Sequence, residues 1–317
     1  MEDIDKKNNE QLVEDKEEEG FCSKQKIALF IIICFIISIG LVILAIIVYL
    51  AKDYEISPLE VYEKYKKIGN ITVGDGIVFK AQNKNTSEIV SIREIKLKTT
   101  DIRDDVKNDI LFTQALQKYT EKSIKIKEIF EQRSTKFIVT EFYDYDLYVN
   151  LKDERGFNID KIKNIMTQLN EALKVLREKK IVHNDIRLES IFVQYNNSDN
   201  ENEFEIKLGN YSKAKLLNDD DKEWENIKPY KDYDKEEFNK IDKKDLFDIG
   251  KVIYNMFFNE IDVDRKKINN EIEDDNLKDL LNKLLVDDEN NRIEWDDYFN
   301  HKFFNDNNDT SIDNIIF

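Results

Sequence analysis

The sequence predicts an α+β fold in two unequal lobes, a small antiparallel sheet with one helix and then a larger helical half, with one transmembrane helix ahead of both. Three observations predict it. Residues 62–99 alternate apolar and polar side chains in short runs, residues 159–178 place apolar side chains at three- and four-residue steps, and residues 27–50 carry no charge.

The uncharged run reads IALFIIICFIISIGLVILAIIVYL, 24 residues from Ile27 to Leu50. At about 1.5 Å per helical residue it is long enough for a hydrocarbon core of roughly 30 Å. It follows an acidic tail, which separates it from a cleaved signal peptide, whose shorter apolar region lies nearer the start. The expected organisation is a polar tail at 1–26, a single membrane pass at 27–50, a tether at 51–57, one domain at 58–304 divided at 142/143, and a C-terminal tail at 305–317. Lys24 and Lys26 on one flank against Lys52 on the other favour a cytosolic N-terminus and a lumenal or extracellular domain. N-x-Ser/Thr sequons beginning at Asn70, Asn85, Asn196, Asn210 and Asn308 are expected by chance in a chain this rich in Asn, so they do not settle the side.

Within the domain, YKKIGN, ITVGDGIVFKA and EIVSIREIKL alternate as three antiparallel strands joined by polar turns. Val106, Ile110, Phe112, Ala115 and Leu116 then space as a helix over 101–119, and two more strands fit 124–131 and 136–142. Beyond them a long helix is predicted at 159–178, a loop with short strands at 179–193 and 203–215, and helices at 245–258 and 277–285.

Composition narrows the chemistry. Lys and Arg number 49 against 66 Asp and Glu, a net charge of −17 that repels polyphosphate and argues against a nucleic-acid partner. The two cysteines, Cys22 and Cys34, both precede the domain, and His183 and His301 are the only histidines. Disulfides, Cys-based zinc sites and His-rich metal centres are therefore excluded from it.

IVHNDIRLESIFV, Ile181 to Val193, resembles the catalytic loop of eukaryotic protein kinases, where His-Arg-Asp precedes an aliphatic strand. The resemblance covers about Tyr62 to Phe304, in family order and spacing. GDGIVFKA resembles the end of the Gly-rich loop, VSIREI the strand of the nucleotide lysine, NDILFTQAL the helix of its glutamate partner, and IKLGNYSKAK the strand into Asp-Phe-Gly. KKDLFDIGKVIYNMF and NRIEWDDYFNHKFF resemble the central and terminal helices of the large lobe. It implies a two-lobed protein-kinase-like fold, with ATP as cofactor, Mg²⁺ as metal and a protein partner.

Carried over residue by residue, the resemblance makes Asp185 the carboxylate that orients a substrate hydroxyl, and Arg187 stands at the loop lysine that neutralises phosphate. Arg93 stands at the nucleotide lysine and Asp109 at its glutamate partner, a longer cation facing a shorter anion that is read as structural in preference to catalytic. Gly76 alone is in register with the phosphate-loop glycines, two residues before Val78; Gly74 and Gly76 read equally as hairpin residues. Thr140, Glu141 and Phe142 resemble the hinge whose backbone receives adenine.

The metal positions depart furthest. Asn210-Tyr211-Ser212 replaces Asp-Phe-Gly and Ser190 replaces the metal-binding asparagine, so neither matched position offers Mg²⁺ a carboxylate. Asn184 replaces the arginine that grips a phosphorylated activation segment, and Ala-Pro-Glu is lost, with Asp234 expected to pair with Arg292 in its place. Asp245 stands at the structural anchor of the catalytic loop. These substitutions imply a membrane-anchored pseudokinase acting as scaffold or allosteric binding module, with nucleotide bound without metal. The alternative is an active divergent Ser/Thr kinase that transfers the γ-phosphate of ATP to protein hydroxyls.

Overall fold

The computed structural model of the chain describes residues 35, 37–43, 60–73, 76–97, 103–132, 135–152, 156–195, 203–217 and 240–305. The chain divides into two units, Met1–Leu59 and Glu60–Phe317.

The first unit corrects two expectations. Among the described residues no helix is long and apolar enough to cross a membrane, which overturns the transmembrane helix at 27–50 and the lumenal or extracellular placement that depended on it. Of that run, Phe35 and residues 37–43 are described as helical, with Phe35, Ile37, Leu41 and Val42 exposed. The described helical residues 37–43 reach roughly 10 Å at about 1.5 Å each, against a hydrocarbon core of roughly 30 Å. The rest of 27–50, the tail at 1–26 and the tether at 51–57 lie outside the described residues.

The second unit opens with a short helix α1 (Glu60–Lys64) and the strands β1 (Tyr65–Val73), β2 (Gly76–Asn83) and β3 (Ile89–Lys96). Helix α2 (Asp104–Leu116) and strands β4 (Ile126–Gln132) and β5 (Thr135–Glu141) follow, and the five strands form one antiparallel sheet in the order β1-β2-β3-β5-β4. Period-two alternation gives the sheet two faces. Phe79, Ala81, Val90, Ile92, Phe137 and Val139 are buried on one, where Tyr62 packs against Phe79 and Phe137 at ring distances of 6.1 and 5.9 Å. The other carries Arg93 and Ile95 and is covered by α2, whose Val106 and Ile110 pack on Ile138, Ile95, Ile126 and Ile129. That face is where the sheet meets the site.

The helical half begins with β6 (Tyr145–Asp146), α3 (Leu147–Lys152) and α4 (Ile159–Glu178). Asn158 caps α4 by accepting the Lys161 N–H at 2.8 Å. Its Ile162, Ile165, Met166, Leu169, Leu173 and Leu176 are buried, each worth about 1.5–3 kcal/mol of transfer free energy. Two-residue strands β7 (Ile181–Val182) and β10 (Lys215–Leu216) pair, as do β8 (Ile191–Tyr195) and β9 (Phe204–Leu208), with the catalytic-loop segment between β7 and β8. Helices α5 (Lys244–Phe258), α6 (Arg265–Glu271), α7 (Asp275–Leu284), α8 (Trp295–Phe299) and α9 (Lys302–Asn305) complete the unit. Gly250 lets α5 approach α7 closely, since a Cβ there would lie 2.9 Å from that of Leu284.

The long helices and most strands predicted inside the domain are present with ends moved by a few residues, but the predicted strand ITVGDGIVFKA is split by the β1–β2 hairpin, its first three residues ending β1 and Gly76 opening β2; α2 stops at Leu116 where the chain turns over 117–119. The six-residue α3 and seven-residue α6 were not predicted, because fewer than two turns carry too little periodicity to register.

Candidate functional site

Helix α2 and strand β3 meet at Arg93 and Asp109, where Nη1 lies 3.2 Å from Oδ2. Asp109 uses its other oxygen to accept the backbone N–H of Tyr211 at 2.8 Å, so the shorter acid holds both the sheet and the segment after β9. Burial pushes its carboxyl above the ordinary range, against the pull of Arg93 and of that N–H. The preceding residue adds to this grip. Asn108 turns its amide toward the carbonyls of Tyr211, Ser212 and Ala214 at 3.2, 3.1 and 2.9 Å. Tyr211 is fully buried, its hydroxyl 3.0 Å from Ser123 Oγ and its ring 5.0 Å from that of His183.

On the helical side, Asp245 at the start of α5 accepts the backbone N–H groups of His183 and Asn184, each at 2.7 Å. Burial pushes its carboxyl up to about 7, although both N–H groups favour the charged form. His183 is also fully buried, and burial lowers it to about 4; its neutral ring donates from Nε2 to the Gly209 carbonyl at 3.0 Å. A Cβ on Gly209 would sit 2.7 Å from Ile124 Cδ1, so a side chain here would force Ile124 to shift. Asn184 and Asn210 both adopt φ of 63°, a left-handed conformation that Asn tolerates better than most residues. The two asparagines that break the kinase motif therefore sit where the backbone turns sharply.

Beyond this frame lies the charged cluster. Asp185 Oδ1 is 3.1 Å from Lys213 Nζ and Oδ2 is 3.7 Å from Arg187 Nε, which also lies 3.9 Å from Glu189. Ser190 is buried and its hydroxyl serves its own loop: it accepts the Arg187 N–H at 2.9 Å and lies 2.8 and 3.2 Å from the carbonyls of Arg187 and Asp185. The Asn210 amide oxygen accepts the Ser212 hydroxyl at 3.1 Å. Among the described residues no group of three or more His, Cys, Asp or Glu could hold a metal ion.

The remaining candidates are placed by the sheet. Val78 is the direct cross-strand neighbour of Arg93. Gly76 pairs with Val73 to close the β1–β2 hairpin, and residues 74 and 75 lie outside the described residues. Thr140 pairs with Ser91 in β3. Glu141 directs its side chain to a clamp, both oxygens 3.2 Å from Lys207 Nζ and one accepting the Lys125 N–H at 3.0 Å. The Phe142 ring lies 3.9 Å from Lys80 Nζ. Arg292 binds backbone, donating to Lys243 O at 2.6 Å and to Val286 O at 2.8 and 3.0 Å, while its expected partner Asp234 lies outside the described residues.

Sequence reasoning missed Lys213, Asn108 and Lys207. Lys213 had a signal, a cation directly after Asn210-Tyr211-Ser212, and Asn108 directly precedes Asp109. Lys207 had none.

The family described as protein kinase domain matches residues 62–304. Cyclin-dependent kinase-like 1 of Caenorhabditis elegans is 29% identical over 161 residues, covering 49% of this chain and 43% of that protein. CTD kinase subunit alpha of Schizosaccharomyces pombe is 31% identical over 148 residues (44% and 23%), and serine/threonine-protein kinase Nek5 of Mus musculus 30% over 157 (49% and 23%). The chain thus spans less than half the length of these curated relatives.

Proposed function

Because the chain belongs to the eukaryotic protein kinase superfamily, we propose that it works as a pseudokinase, a kinase-like domain at 58–304 that serves as scaffold or allosteric binding module and transfers phosphate poorly or not at all. Its family in general binds ATP and Mg²⁺. The observation that carries the reading is Asn210: a neutral amide, already engaged by Ser212, stands at the position matched to the metal-binding aspartate. Ser190, matched to the second metal position, has its hydroxyl turned to its own loop. Mg²⁺ sheds water reluctantly without anionic oxygens, so this donor set does not fit the ion. Loss of about 3–4 kcal/mol of transition-state stabilisation lowers turnover about 100- to 1000-fold.

A protein partner belongs to the proposal, supported by relatives whose names describe them as cyclin-dependent or as a kinase subunit. A specific observation also favours the second reading, an active divergent Ser/Thr kinase: Asp185 is retained and the Arg93–Asp109 pair is intact. Incubating the full chain with labelled ATP, Mg²⁺ or Mn²⁺ and general protein substrates separates the two. The pseudokinase reading expects transfer no greater than that of Asp185→Ala; strong transfer abolished by that substitution establishes the enzyme.

A further inference from the structure

We propose that the site around Asp185 takes a nucleoside triphosphate in its metal-free form, with the Lys213 ammonium as the cation that meets the phosphates. The proposal deepens the pseudokinase reading and rests on it. It starts from a disagreement between the family's metal and this donor set: Asn210 and Ser190 are neutral and committed to hydrogen bonds within their own segments. Asp185, the carboxylate retained at the family's catalytic position, already has Lys213 at 3.1 Å on one oxygen and Arg187 at 3.7 Å on the other. A divalent ion entering there would have to displace an ammonium from its carboxylate or sit beside it against like charge.

An anion faces the opposite balance. The Lys213 side chain is 60% exposed and that of Arg187 54%, on stems long enough to turn from Asp185 to a phosphate oxygen. A Lys ammonium is a compact point charge suited to phosphate, and Arg adds a planar fork. Arg93 presents a third cation on the face where β3 meets α2, its side chain 36% exposed. Asp185 acts here as a positioning residue: it holds Lys213 against the catalytic-loop segment. Asn108 keeps the backbone on both sides of Lys213 in place through the carbonyls of Ser212 and Ala214.

The test is a titration of the purified full chain with a fluorescent trinitrophenyl-ATP, once in excess EDTA and once in excess MgCl₂. Wild type is expected to bind equally in both, within about twofold. Lys213→Met should weaken binding in EDTA about ten- to a hundredfold, the loss of one charge-assisted contact, while Lys213→Arg keeps it. Matching thermal melts exclude misfolding, and Lys213→Gln replaces the Met variant should that aggregate. Tightening of wild type by Mg²⁺ of about tenfold or more overturns the inference, as does a Lys213→Met protein that binds like wild type in EDTA. Absence of binding in either medium also overturns it, yet leaves the scaffold reading standing. Strong phosphate transfer to protein, measured separately, sinks the scaffold reading.

Discussion

The two ends of the stretch from His183 to Arg187 are held in different ways. His183 and Asn184 give backbone N–H groups to the buried Asp245, and the His183 ring reaches Gly209. Asp185 and Arg187 instead meet other side chains, Lys213 and Glu189, at 3.1 to 3.9 Å and partly in solvent. Backbone donors bound to a buried acceptor are costly to disturb, because each group left unpaired loses its full solvation. Long charged side chains at a surface are cheap to rearrange. His183 and Asn184 thus form the end that is costly to disturb, and the retained Asp185 with Arg187 forms the adaptable end.

The strongest way to break the contrast is Asp245→Ala. It leaves the buried His183 N–H and the part-buried Asn184 N–H without an acceptor and should cost about 2–5 kcal/mol in urea unfolding of the full chain. An unchanged midpoint would mean that the loop is anchored elsewhere.

A smaller effect concerns pH. Asp245, raised by burial to about 7, contributes stability that is complete below its ordinary value near 4 and is lost as pH climbs to 7. His183, lowered by burial to about 4, contributes stability that is complete above its ordinary value near 6.5 and is lost as pH falls toward 4. The two slopes oppose each other over the same window. Asp245→Asn removes one of them, so its stability should rise with pH between about 4 and 6.5 more steeply than that of wild type. Parallel curves from unfolding at several pH values would show that the carboxyl does not titrate there.

The smallest effect sharpens the adaptable end. Lys213→Met should shift unfolding stability by less than about 1 kcal/mol, since its ammonium is exposed. A larger loss would move Lys213 from the ligand-facing side of the comparison to the structural frame.

Much of the site was legible because its residues lie in contiguous segments: Asp185 and Arg187 in one loop, Asn210 after one strand, Arg93 on another. The Arg93–Asp109 pair was legible too, as a long cation opposite a short anion on adjoining elements. The second duty of Asp109, holding Tyr211, was not, since that contact joins residues 102 apart. Glu141 was read through its backbone, whereas its side chain is taken by Lys207. The apolar run at 27–50 was read as a membrane span from hydropathy, whereas among the described residues no helix is long and apolar enough to cross a membrane.

By itself the sequence determined which residues alternate, which repeat at helical spacing, and which charges are missing at matched positions, because these depend on residue type and local order. Only the tertiary structure decided that Lys213 faces Asp185, that Ser190 turns inward and that Asp109 bridges sheet and loop. Those outcomes depend on the backbone turns at Asn184 and Asn210 and on the packing of α2 over β3, which bring together side chains that lie far apart along the chain.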